Sequence, residues 1–127
     1  MIGEAPDLNG QVCESLLAEE YWYEGELSSP ANVVWIRISN AWHRLAIDNG
    51  VIFWRRSADS PKEYTMPELN AEVRIADIGK ALRLTGELMV GYNARRISGG
   101  SEIEFGFGTG KRLLFRNVDD QTDYFVQ

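Results

Sequence analysis

The chain has 127 residues, of which 44% are hydrophobic, and its formal net charge is −6. This composition excludes a wholly disordered polypeptide and predicts one domain, residues 1–127, with a core of its own. The acidic balance argues against nucleic acid as a partner, because such binding depends on neutralising phosphates. No apolar run reaches the roughly 20 residues that span a bilayer, and the first residues lack a secretion signal, so we expect a cytoplasmic protein without membrane contact.

Cysteine and histidine occur once each, as Cys13 and His43. A single cysteine forms no intramolecular disulfide, which agrees with a reducing compartment. Zinc sites of the Cys/His type need more ligands than these two residues supply, and nothing in the local sequence supports a Cys/His nucleophile. We therefore expect no metal, no other cofactor and no catalytic residues.

The N-terminal region is compatible with a helix from Gln11 to Tyr23. Val12 and Leu16 would share a helical face, and Gly25 could end the helix. The three aromatic residues at 21–23 suit a strand equally well. The pattern favours the helix and leaves the strand open as the alternative.

Two hairpins are predicted at the centre of the chain. They consist of Val33 to Ser39, Trp42 to Asp48 and Val51 to Arg56, with turns at Asn40-Ala41 and Asn49-Gly50. Asn-Gly is the strongest short hairpin signal, because both residues accept a positive φ. With two-residue turns, Leu45 lies opposite Trp54 on one side and opposite Ile36 on the other.

This register divides the three strands between two faces. The apolar face predicts a core surface, with Val34, Ile36, Ile38, Leu45, Ile47, Ile52 and Trp54. The opposite face carries two cross-strand rows. The first row is Trp35, Ala46 and Phe53, and the second is Arg37, Arg44 and Arg55, with Trp42 close by. Three aligned guanidinium groups repel one another unless an anion lies among them. We expect the negative charge to come from the N-terminal helix, from a ligand or from a partner.

The next segment contains a short helix and a strand. Asp77 to Leu84 favours a short capped helix, although Leu84 to Glu87 also permits a hairpin turn. Leu88 to Tyr92 is typical of a strand, and a loop rich in Arg and Gly is expected after it.

A last hairpin is predicted to pair Glu102 to Phe107 with Arg112 to Val118. A three-residue loop at 109–111 puts the apolar residues of both strands on one face, and it sets Glu104 opposite Arg116.

Together these elements predict an α+β fold. The expected architecture is a twisted antiparallel sheet of about six or seven hairpin-connected strands, plus an N-terminal helix and one short helix. The pattern does not decide whether this sheet rolls into a half-barrel. Tyr124 to Val126 would add an edge strand. Exposed edges also leave pairing into a homodimer open.

The leading functional pattern is an acidic, aromatic segment within residues 1–36, which contain no Lys or Arg. Its members are Glu19, Glu20, Tyr21, Trp22, Tyr23, Glu24 and Glu26. Tyr and Trp anchor interfaces, and carboxylates steer basic partners toward fast association. The alternative is that the aromatic rings belong to the core and the carboxylates are merely solvated. We expect a non-enzymatic interaction domain that docks a basic protein.

The arginine and aromatic face supports a second hypothesis, a domain that binds a small ligand or nucleotide, with or without enzymatic activity. Its candidate residues are Trp35, Arg37, Trp42, Arg44 and Arg55. Guanidinium groups bind phosphates, and aromatic rings stack on bases. Coverage of this face by the N-terminal helix would remove the site.

The stretch from Leu84 to Leu114 reads Leu-Thr-Gly-Glu and later Ile-Glu-Phe-Gly-Phe-Gly-Thr-Gly-Lys-Arg-Leu-Leu. It resembles the closing hairpins of small bacterial β-rich domains, some of which are immunity proteins against secreted toxins. The resemblance covers about a quarter of the chain and assigns no functional residue. It implies toxin immunity as a specific form of the interaction function, with a toxin as the basic partner.

Overall fold

The computed structural model describes residues 2–127 and corrects the predicted α+β class, because the chain is 63% strand and only 6% helix. This part of the chain has ten strands, one 3-10 turn and one short helix. The strands are β1 Ser15–Tyr23, β2 Glu26–Ile38, β3 Ala41–Asp48, β4 Val51–Ser57, β5 Tyr64–Met66, β6 Ala71–Ala76, β7 Met89–Ile97, β8 Gly100–Phe107, β9 Arg112–Val118 and β10 Gln121–Val126. The 3-10 turn is Pro67–Leu69, and the helix α1 is Ile78–Ala81.

The strands form two antiparallel sheets. The larger sheet has the order β4, β3, β2, β1, β6, β5, and the smaller one has the order β10, β9, β8, β7. Their facing sides bury one hydrophobic core, in which Ile36, Leu45 and Trp54 of the larger sheet join Phe105 and Phe115 of the smaller one. Because side chains alternate along a strand, each sheet keeps a second face away from this core.

The predicted helix from Gln11 to Tyr23 is wrong, because Ser15–Tyr23 forms strand β1 inside the larger sheet. β1 pairs with β2 on one side and with β6 on the other, so its backbone groups are bonded along both edges. Leu16 and Ala18 are fully buried, and Leu17 between them is only half-buried. This alternation suits a strand that is covered on one face.

The turn at Asn49-Gly50 is confirmed. Its two residues have φ values of 48° and 77°, as a two-residue hairpin turn requires. β3 and β4 pair in the predicted register, with Leu45 opposite Trp54. All the residues predicted for the core face of the central strands are buried.

The turn before β3 lies one residue earlier than predicted. Ser39 and Asn40 form it, with φ values of 45° and 62°, and Ala41 already belongs to β3. The pairing of β2 with β3 therefore shifts by two residues, which puts Ile36 opposite His43. Because side chains alternate with a period of two, this shift leaves every residue on its predicted face.

The predicted short helix between Asp77 and Leu84 is present as α1. The Asp77 carboxylate accepts a hydrogen bond from the backbone N–H of Lys80 at 3.0 Å and caps the helix. Since β6 and β7 belong to different sheets, this segment is a connection between sheets and not a hairpin. Within residues 2–127 no helix is long and apolar enough to cross a membrane.

The last hairpin is confirmed in its faces and corrected in its register. Its loop spans residues 108–111, which is one residue longer than predicted. Arg116 consequently lies opposite Glu102 instead of Glu104.

Two other strands are longer than predicted. The strand expected at Leu88 to Tyr92 runs from Met89 to Ile97, so residues 93–97 belong to β7 and not to a loop. The expected edge strand at Tyr124 to Val126 begins at Gln121 as β10.

Residues 58–63 connect β4 to β5, which lie at opposite edges of the larger sheet. The register places Ser57 and Tyr64 five strand spacings and six residue positions apart, or about 31 Å in a flat sheet. Seven residue steps span at most about 25 Å. The sheet must therefore coil around this connection, which makes its outer face concave.

Candidate functional site

The strand geometry of β1 divides the predicted acidic, aromatic segment between the two faces of the larger sheet. Glu19 lies on the outer face, where its carboxylate accepts a hydrogen bond from the indole N–H of Trp35 at 2.6 Å. Tyr21 and Tyr23 follow Glu19 on that face by alternation. Glu20 and Trp22 lie on the opposite face, and Trp22 donates its indole N–H to Glu20 at 3.1 Å.

Trp22 belongs to a cross-strand row in which β5, β6, β1 and β2 contribute Thr65, Glu72, Trp22 and Leu27. In the next row, Arg74 lies opposite Glu20. We call these six residues the Trp22 surface. It lies at the end of the sheet where β1 turns into β2.

Trp22 contacts charged side chains on its own strand and on β6. The guanidinium carbon of Arg74 lies 4.1 Å from the centre of the indole ring, a cation–π contact. Arg74 also donates a hydrogen bond to Glu72 at 2.7 Å, which lowers the pKa of that carboxyl group and raises the pKa of the guanidinium group. The indole ring therefore packs against Arg74 on a surface where Arg74 is itself paired with Glu72.

A depression of about 400 Å³ lies beside Trp22 and is also lined by Thr65, Pro67 and Asn70. Glu24 and Gly25 form the adjoining hairpin turn, with φ values of 50° and 78°. Gly25 thus serves a hairpin turn and does not end a helix.

Apolar side chains are exposed around this end of the sheet. Tyr23 is 48% exposed, Leu27 44% and Leu69 56%. The backbone N–H of Glu24 donates to the carbonyl of Asn70 at 2.8 Å, so the β1–β2 turn and the 3-10 turn lie side by side. Exposed apolar side chains therefore lie near the depression, although they do not line it.

The second candidate region is the concave outer face of the larger sheet. Arg44 lies directly opposite Trp35 on one side and Arg55 on the other. The predicted row of three arginines is incorrect, because the shifted register puts Arg37 one row away, opposite Trp42. The same shift puts Val33, and not Trp35, in the row of Ala46 and Phe53.

Arg37 and Trp42 form a contact of their own. Arg37 pairs with Glu14 at 3.5 Å and donates to the side-chain oxygen of Asn40 at 2.9 Å. Its guanidinium carbon lies 6.0 Å from the centre of the Trp42 ring. For Arg37, the expected negative charge is therefore supplied by Glu14, the residue just before β1.

A cleft of about 350 Å³ lies between the sheet and the connection 58–63, and we call it the Trp35 cleft. The sheet contributes Trp35, Arg44, Arg55 and the first residue of β5, Tyr64, and the crossing chain contributes Ser60 and Lys62. Glu19 and Asp59 are its acidic members. The predicted helix does not cover this face, and the connection bridges it only in part.

Sequence reasoning missed the residues that β5, β6 and the connection bring to these sites. Glu72 and Arg74 complete the Trp22 surface, and Lys62 and Tyr64 complete the Trp35 cleft. Glu72 and Arg74 follow Trp22 by about 50 residues, Lys62 and Tyr64 follow Trp35 by just under 30, and no local motif marks their approach. Had β1 been predicted as a central strand, a second neighbouring strand would have been expected beside it, because a central strand pairs along both edges.

The surroundings of the single cysteine and the single histidine shift the pKa values of both side chains. Burial, followed by the charges of Asp77 and Glu14, raises the pKa of the Cys13 thiol to about 11, which disfavours the thiolate. Partial burial and the neighbouring Arg56 lower the pKa of His43. Across residues 2–127, no group of three or more His, Cys, Asp or Glu side chains is placed to hold a metal ion.

No protein-family model matches the sequence, no curated protein is significantly similar to it, and no solved structure significantly matches its fold. Function is therefore inferred from the geometry of the two surfaces.

Proposed function

We propose that this protein is a non-enzymatic interaction domain that docks a basic protein partner on the Trp22 surface. The observation that carries the proposal is Trp22, packed against Arg74 beside an open depression that has exposed apolar residues and carboxylates near it. Tryptophan is among the residues most enriched at interface hot spots, and a ring that already packs against its neighbours loses less entropy on binding.

The charge around the depression favours a basic partner. Glu24 lies in the β1–β2 turn, Glu26 follows that turn as the first residue of β2, and Glu68 lies in the adjacent 3-10 turn. Arg74 is the basic residue of the Trp22 surface, and it is paired with Glu72. Unpaired carboxylates at a rim accelerate encounter with a cationic surface and contribute less to the lifetime of the complex.

Toxin immunity in the bacterial cytoplasm is the specific form of this proposal. The protein would occlude a basic surface of the toxin, with Trp22 and Leu27 covering an apolar site and the carboxylates meeting its Lys and Arg side chains. Occlusion requires no bond to be made or broken. The buried, protonated thiol of Cys13 is compatible with a reducing compartment.

The test is to co-express the chain with a basic protein encoded by a neighbouring reading frame and to measure their association by stopped flow. Glu24→Gln with Glu26→Gln should slow association severalfold and flatten its dependence on salt. Glu4→Gln with Glu87→Gln removes the same charge elsewhere and should have little effect.

Two further variants separate binding from folding. Trp22→Ala should accelerate dissociation about tenfold or more. Leu69→Arg leaves the core untouched, because Leu69 is exposed, and it should also weaken binding by opposing the charge of the partner. If both variants bind the partner as the wild type does, the interface lies elsewhere and the proposal is rejected.

A further inference from the structure

We infer that the Trp35 cleft binds a small phosphorylated molecule, with its phosphate group among Arg44, Arg55 and Lys62 and its ring against Tyr64. The site is separate from the Trp22 surface, and the inference does not depend on the proposed docking function.

The first observation is a pair of arginines without acidic partners. Arg44 and Arg55 are directly opposite each other on adjacent strands, where two positive charges destabilise a sheet. Among residues 2–127, no carboxylate oxygen lies within 4.0 Å of a charged nitrogen of Arg44, Arg55 or Lys62. A bound dianion would relieve this repulsion.

The arginines of the smaller sheet show the contrast. Arg95 and Arg116 both pair with Glu102, and Arg112 pairs with Glu104. Arg56, Arg83 and Arg96 also lack a carboxylate within that distance, but they do not line the Trp35 cleft. The Trp35 cleft thus gathers three basic side chains that lack a carboxylate partner at one concave site.

The two acidic residues at the cleft offset the charge of its three basic residues only in part. Glu19 accepts the indole N–H of Trp35 and is engaged in orienting that ring. Asp59 is exposed on the connection, and its backbone groups form the local turn with Ser57. The formal charge of the lining residues therefore remains positive, although the protein as a whole is strongly negative.

The guanidinium group of Arg44 rests on a fixed support. Its central carbon lies 5.9 Å from the centre of the Trp35 ring, and Trp35 contacts Trp42 edge to face at 6.4 Å. Trp35 is only 6% exposed, so it forms the floor of the cleft and is not a stacking platform. Tyr64, which is 51% exposed at the rim, is the ring available to a ligand.

The size and charge of the site favour a small molecule over a polymer. A cleft of about 350 Å³ lies at the lower end of the range for small-ligand sites. The connection 58–63 bridges the sheet and limits the length of groove that a nucleic-acid strand could follow. The net charge of −6 also opposes an extended polyanion. Guanidinium groups match the geometry of phosphate oxygens, and a planar substituent could contact Tyr64.

The test is a titration of the intact ¹⁵N-labelled protein, observed at the indole N–H signal of Trp35, which Trp35→Phe assigns. Phenyl phosphate and inorganic phosphate are the probes, each taken to about 10 mM so that a Kd near 1 mM is detected. Both should shift the Trp35 signal in a saturable way, and phenyl phosphate should bind severalfold more tightly through Tyr64.

Arg55→Gln should weaken phenyl phosphate binding about tenfold, as expected for loss of a charged hydrogen-bond donor. Arg56→Gln is the matched control, because it removes the same charge from the same strand on the opposite face, and it should change binding less than about twofold. Tyr64→Ala should bring phenyl phosphate to the affinity of inorganic phosphate.

The inference is overturned if neither probe moves the Trp35 signal, or if Arg55→Gln and Arg56→Gln have the same effect. Equal affinities for the two probes would overturn the assignment of a ring-bearing ligand. A response to an oligoglutamate peptide but not to either phosphate compound would make the cleft a protein-binding site instead. None of these results bears on Trp22→Ala and its effect on the basic partner.

Discussion

Trp54 on β4 donates its indole N–H to the phenol oxygen of Tyr92 on β7 at 3.0 Å, so a hydrogen bond links the two sheets. The two rings also meet edge to face, with their centres 5.6 Å apart. Trp54 is almost fully buried, so its polar hydrogen needs an acceptor inside the core. This contact joins the hairpin that carries Arg55 to the smaller sheet.

Tyr92→Phe should therefore destabilise the protein by about 1 to 2 kcal/mol, since it leaves the indole N–H of Trp54 without this acceptor. The free energy of unfolding in urea measures the loss. Tyr23→Phe removes an exposed hydroxyl group and should change stability by less than about 0.5 kcal/mol. Equal losses in the two variants would show that the bond between the sheets contributes nothing specific.

Gly100→Ala should be strongly destabilising, by about 3 kcal/mol or more. A Cβ atom at Gly100 would lie 1.7 Å from the backbone oxygen of Asn117, so the pairing of β8 and β9 would have to open. At Gly91 a Cβ atom meets nothing within 4 Å, and Gly91→Ala should be neutral or slightly stabilising. Thermal unfolding distinguishes the two variants, and similar melting temperatures would contradict the close approach at Gly100.

Glu102→Gln should cost about 2 kcal/mol at neutral pH. The Glu102 side chain is 2% exposed, and it lies between Arg95 and Arg116 in one cross-strand row. Hydrogen bonds from Arg116 and then Arg95 outweigh the effect of burial and lower the pKa of the carboxyl group.

The sign of the pH dependence follows from this lowered pKa. The stabilisation by Glu102 is present above its unfolded pKa of 4.5 and is lost as the pH falls through the lower folded value. The difference between wild type and Glu102→Gln should thus shrink in acid, as urea unfolding at several pH values will measure. Glu104→Gln, which affects the more exposed pair with Arg112, should cost less than about 1 kcal/mol. A constant difference at all pH values would contradict the ionised state of Glu102.

Cys13 should make the protein less stable in alkali. Its pKa is raised from 9.0 to about 11, so its stabilising contribution is complete below pH 9 and is lost as the pH rises toward 11. The free energy of unfolding should fall less steeply over this interval in Cys13→Ala than in the wild type. Tyr92 and Tyr124, whose pKa values burial also raises, contribute to both proteins alike. Parallel slopes would contradict a thiol that is protonated in the folded state.

Local chemistry predicted the features that depend on neighbours in sequence. Asn49 and Gly50 specify a two-residue turn through positive φ, and that turn alone sets Leu45 opposite Trp54. The start of the short helix is likewise marked by Asp77, whose carboxylate accepts a hydrogen bond from the backbone N–H of Lys80, three residues later. In both cases the decisive interaction closes within a few residues.

The N-terminal region shows where such reasoning fails. The spacing of Val12 and Leu16 suits a helix, and a helix needs no distant partner for its backbone bonds. β1 instead obtains its bonds from β2, which follows directly, and from β6, about 50 residues later. The predicted acidic, aromatic site changed for the same reason. Side chains alternate along a strand, so Glu19 and Glu20 lie on opposite faces of the sheet.

The sequence by itself determined the turns, the short helix and the division of the central strands into an apolar and an arginine-bearing face, because these follow from φ preferences and from a period of two residues. Only the tertiary structure decided that β1 is a central strand, that Arg74 stacks on Trp22, and that residues 58–63 bring Lys62 and Tyr64 to Arg44. Those contacts join residues far apart in the chain, and their formation depends on the packing of whole sheets, which no local preference encodes.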